Sequence, residues 1–71
     1  MNALSQVAIG QTQIVARLNT KEAIVRRKLM ALGITPGSNL TVEQRFPSYI
    51  VKVGHTRAAL DRELAASIFV Q

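Results

Sequence analysis

The tightest constraint in this chain is a stop. Apolar residues keep a helical period through one long window, where Val25, Leu29 and Leu32 follow the i, i+4, i+7 pattern with Ile24 beside them. Gly33, Ile34, Thr35, Pro36 and Gly37 come next, and no helix runs through them. Gly33 is free to take a positive φ, and Pro36 has no amide proton to donate. The spacing therefore predicts a helix that closes on a left-handed Gly33, with Ile34 making the apolar contact to Leu29 of a Schellman motif. At the other end, Asn19 and Glu22 have the spacing of a capping box.

Elsewhere the apolar period is two. Residues 11–18 are rich in β-branched side chains and predict a strand, in which only one of the neighbours Ile14 and Val15 can point inward. Leu40 and Val42 alternate with Thr41, Glu43 and Arg45 until Pro47 interrupts. Tyr49, Val51 and Val53 then share a face opposite Ile50 and Lys52. Residues 55–60 read as another strand, Asp61 as the cap of a short helical turn, and Ile68 and Val70 as the inward positions of a last strand. The expected fold is all-β, about five short strands with one inserted α-helix, in a single domain over residues 1–71. A chain this short buries only about 60% of its extended surface. Without cysteine it has neither disulfides nor a thiolate metal site to compensate. A small closed barrel, which removes sheet edges, answers both limits.

Several classes are excluded. An apolar content of 48% is too high for a disordered chain. The apolar runs fall far short of the roughly 18 residues that span a bilayer. Neither a basic leader nor a signal-length apolar segment opens the sequence, so a cytoplasmic location is expected. His55 is the one histidine, set in a turn, and the four carboxylates are dispersed, so no metal or other cofactor is expected. The stretch from Gly33 to Ser38 lacks the spacing and the lysine of a phosphate loop. No motif joins Ser48, His55 and Asp61, and an enzyme is not expected.

Nine cations against four anions leave a net charge of +5, which favours an anionic partner. At 100° per residue, Ala23, Arg26, Arg27 and Met30 fall opposite the Val25, Leu29 and Leu32 stripe, with Lys28 at its margin. Arg and Met are enriched at interfaces, so Arg26, Arg27 and Met30 are candidate partner-binding residues; a simply solvated face is the alternative. Phe46 and Tyr49, beside Arg45, are a second candidate pair at a hairpin tip, unless the rings fold back onto the core. Three aromatics in all are too few for a base-stacking platform.

The run Leu29, Leu32, Gly33, Ile34, Pro36 and Gly37 resembles the FeoA family, small components of bacterial ferrous iron uptake. The likeness extends to residues 4–11, similar to that family's opening Leu-x-x-Val-x-x-Gly-Gln pattern, and to residues 56–70 at its close. The segment 45–49 is shorter than the Gly-Asp-Pro loop many members carry there. The resemblance implies an SH3-like barrel. It also implies a non-enzymatic adaptor that docks on the cytosolic GTP-binding domain of the FeoB transporter without entering the membrane. The C-terminal domains of metal-dependent repressors such as the diphtheria toxin repressor are similar as well. A small basic nucleic-acid-binding barrel, and a domain acting by self-association, are the alternative readings.

Overall fold

The computed structural model describes residues 2–71. In chain order they form β1 (Asn2–Ala3), a 3-10 turn (Leu4–Gln6), β2 (Thr12–Leu18), α1 (Ala23–Ala31), β3 (Asn39–Gln44), β4 (Tyr49–Val53), β5 (Thr56–Leu60), α2 (Arg62–Ala66) and β6 (Ile68–Val70). All strand pairings are antiparallel, in the order β1-β6-β2-β3-β4-β5. The 3-10 turn packs on α2 and β6, and α2 packs on β5, so these segments bridge the two edge strands. Arg45 laces the same seam, donating from Nη1 to the Ser5 carbonyl at 3.1 Å and from Nη2 to the Val7 carbonyl at 2.6 Å. The described residues form six strands rather than about five, because β1 is two residues long and too short to show alternation.

The period-two segments point as their patterns require. Leu40, Val42, Val51, Ile68 and Val70 are fully buried, and Val25, Leu29 and Ile34 join them from the helical side. Val15 is the inward neighbour on β2, 1% exposed, and Ile14 faces out at 42%. Two ladders shift register, β2 against β6 between Val15 and Arg17, and β3 against β4 between Val42 and Gln44. Such bulges add twist, which helps a short sheet to coil on itself.

The helix stop forms as expected. Gly33 has φ +87°. Its N–H donates to the Met30 carbonyl at 2.9 Å, and the Ile34 N–H donates to the Leu29 carbonyl at 2.9 Å. These are the paired bonds of a Schellman motif, with Leu29 and Ile34 both completely buried beside them. Pro36 and Gly37 then occupy the two central positions of a turn closed by the Ser38 N–H on the Thr35 carbonyl at 2.9 Å. Gly37 has φ +93°, the value a type II turn requires at its third residue. The Gly37 N–H donates to the Val15 carbonyl and the Ser38 carbonyl accepts from Val15 N–H, both at 2.8 Å, which docks the turn on β2.

The capping box does not form. The N-cap of α1 is Glu22 itself, with no side-chain cap bond. The Asn19 N–H is engaged elsewhere, donating to the Ser67 carbonyl at 2.7 Å as an extension of the β2–β6 ladder. Thr20 takes over the entry: its hydroxyl oxygen accepts from Glu22 N–H at 3.1 Å, and its carbonyl accepts from Arg26 Nη2 at 2.6 Å. The second short helix follows its pattern, with Asp61 Oδ1 accepting from Leu64 N–H at 2.8 Å.

Candidate functional site

α1 lies on the barrel through Val25 and Leu29, while Leu32 packs half-buried at the edge of the core. Arg26, Arg27, Lys28 and Met30 are all exposed, so the outward face predicted from the 3.6-residue period is real. Met30 is 49% exposed, an apolar side chain standing among cations. Arg26 is partly committed through its bond to the Thr20 carbonyl, which leaves Arg27 and Met30 as the freer pair. Ile24 is not part of the core stripe. It is 66% exposed and lies on the flank of α1 that looks toward α2.

The structure separates the two rings of the 45–49 segment. Phe46 stands 81% exposed at the tip between β3 and β4. Tyr49 is half-buried against the core, so it is not a free contact ring; its remaining surface faces a cavity of about 400 Å³ with Arg45 and Arg62. The third aromatic, Phe69, lies beneath Arg17, whose Cζ is 5.7 Å from the ring centroid. His55 is exposed in the turn joining β4 to β5. Among the described residues no group of three or more His, Cys, Asp or Glu side chains could hold a metal ion.

A further feature was not apparent from the sequence. A groove of about 580 Å³ runs between α1 and α2, lined by Ala23, Ile24, Val25 and Leu64, with Glu22, Lys28, Asp61 and Glu63 also on its walls. Three of the four acidic residues in the chain line it. The fourth, Glu43, is paired with Arg57, whose Nε donates to Glu43 Oε1 at 2.7 Å. That hydrogen bond holds the Glu43 carboxyl below its ordinary range. The available hint was that two helix starts, at Glu22 and at Asp61 with Glu63, both carry acids; only the fold brings them together.

Known proteins share this architecture. A relative from Leptolyngbya boryana described as an Fe(2+) transport protein A is 36% identical over 59 residues, 82% of this chain and 72% of the relative. The crystal structure of Stenotrophomonas maltophilia FeoA complexed with zinc, described as a procaryotic SH3 domain protein, superposes with a TM-score of 0.82. It is 26% identical, over 96% of this chain and 87% of that one. A manganese-dependent transcriptional repressor matches with a TM-score of 0.87 and 26% identity, over 97% of this chain but only 40% of its own length. The six-stranded barrel with one principal helix is thus the SH3-like fold. The FeoA domain family model matches residues 2–71, and the chain belongs to the FeoA family.

Proposed function

We propose that this protein is a non-enzymatic accessory factor of ferrous iron uptake, acting in the cytoplasm by docking on the GTP-binding region of the FeoB transporter. The iron assignment draws on family membership and on the relative described as an Fe(2+) transport protein A. The docking assignment is carried by one observation: Arg26, Arg27 and Met30 are exposed on the side of α1 opposite Val25 and Leu29. The core has no use for them there. Cations speed encounter with an acidic surface, and a flexible thioether supplies apolar contact that slows release. Phe46 at the β3–β4 tip offers a second contact. An adaptor alters its partner only through different affinity for the partner's states, so nucleotide-dependent binding is the property to measure.

The decisive experiment titrates the purified GTP-binding domain with this protein and with Arg27→Glu/Met30→Ser. Arg26 is left alone because its bond to Thr20 would confuse folding with docking. The double variant should bind about tenfold or more weakly, a loss of about 1.4 kcal/mol, with its thermal midpoint unchanged. Wild-type affinity would move the interface, with Phe46→Ser the next variant to titrate. GTP turnover measured alongside separates assembly from stimulation. Nucleic-acid binding, the alternative served by the +5 charge, would instead weaken by about 0.9 log units per tenfold salt for each phosphate neutralised.

A further inference from the structure

We propose that the groove between α1 and α2 is a second docking site, shaped for a cationic amphipathic segment of a partner polypeptide. The inference begins from charge placement. The chain carries nine Lys and Arg against four Asp and Glu, yet Glu22, Asp61 and Glu63 face one groove, and among the described residues Lys28 is its one lining cation. Among the described residues, three carboxylates and one ammonium leave that groove at −2 on a molecule of +5. Asp61 is occupied in capping Leu64, and Glu22 and Glu63 are exposed.

The apolar lining is the second observation. Ile24 is 66% exposed in the groove, and Leu64 is half-buried beside it. An isoleucine turned outward at a helix position that any lysine or glutamate could fill contributes little to folding. In a groove of about 580 Å³ it supplies a surface on which several aliphatic side chains can rest. Apolar lining with acidic walls matches a segment that presents Leu, Ile or Phe anchors at helical spacing, flanked by Lys or Arg. The same acids repel phosphates, which sets this site apart from the cationic outer face of α1. The two surfaces adjoin along one helix: residues 24 and 28 on the flank toward α2, residues 27 and 30 on the outer face. One domain can therefore hold an acidic surface and a basic segment together.

The test is a backbone-amide NMR titration with a short synthetic leucine–lysine amphipathic peptide, its leucine–glutamate counterpart serving as charge control. The expected result is saturable shifts centred on Ala23, Ile24, Lys28 and Leu64 with the lysine peptide alone. Ile24→Ser, which leaves both helix caps intact, should weaken binding about tenfold. Glu22→Lys/Glu63→Lys should reverse the preference, so that the glutamate peptide binds and the lysine peptide does not. Arg27→Glu/Met30→Ser should bind the lysine peptide like wild type, which keeps this site distinguishable from the transporter-docking face. Shifts centred outside the groove, equal binding of both peptides, or an unchanged preference in the charge swap would overturn the proposal. Peptide-free shifts at the same residues that grow with protein concentration would also overturn it, by giving the groove to a second copy of the chain.

Discussion

The two ends of α1 follow different rules. Its C-terminal end is closed by residues adjacent in sequence: Gly33 turns left-handed, and Ile34 folds back on Leu29. Its N-terminal end has a capping-box sequence that goes unused, because the Asn19 N–H continues the β2–β6 ladder and binds Ser67. The stop needs a backbone conformation that Gly33 reaches without strain and an apolar contact one residue away. The start needs Asn19 free to bend toward the helix, and β2 has already claimed it. A local motif survives when its residues have no competing long-range partner.

Variants at the two ends can break this contrast. The largest effect is expected for Ile34→Ala, which empties a completely buried site and should cost about 3 kcal/mol in urea denaturation. Gly33→Ala should cost about 1–2 kcal/mol by the same measurement, from the left-handed backbone alone. A new Cβ there would meet Val53 Cγ1 at 3.7 Å, an ordinary contact, so no clash adds to it. Gly33→Asn should recover part of the loss, since asparagine tolerates this conformation; equal losses for Ala and Asn would remove the backbone explanation. The smallest effects lie at the start. Thr20→Ala should cost about 0.5 kcal/mol through the lost acceptor for Glu22 N–H, and Asn19→Ala close to nothing, because its backbone bond remains. If Asn19→Ala proves the more damaging of the two, the capping box operates in solution and the contrast between the ends fails.

The same division runs through the surfaces. The outer face of α1 was legible because a 3.6-residue period places Arg27 and Met30 opposite Val25 and Leu29 whatever the helix packs on. The two rings at 46 and 49 were not legible. Both flank the same hairpin tip, and which one turns to the core depends on β4 pairing with β3 and β5, not on the ring's neighbours in sequence. The groove was out of reach for the same reason. Glu22 and Glu63 are 41 positions apart, and nothing short of the packed barrel brings their helices side by side.

What is encoded locally can be read from residue order alone: the alternation that buries Leu40 with Val42 and Ile68 with Val70, the single long helix, and its end at Gly33. These depend on φ, ψ and the direction of Cβ, which neighbours in the chain impose. Other outcomes were decided only by the packed sheet and its helices: Val15 rather than Ile14 inward, Thr20 rather than Asn19 at the helix entry, and an acidic groove on a basic domain. Each depends on which distant group takes a hydrogen bond or a place in the core. That competition has no local record, because its contestants meet only after the strands have paired.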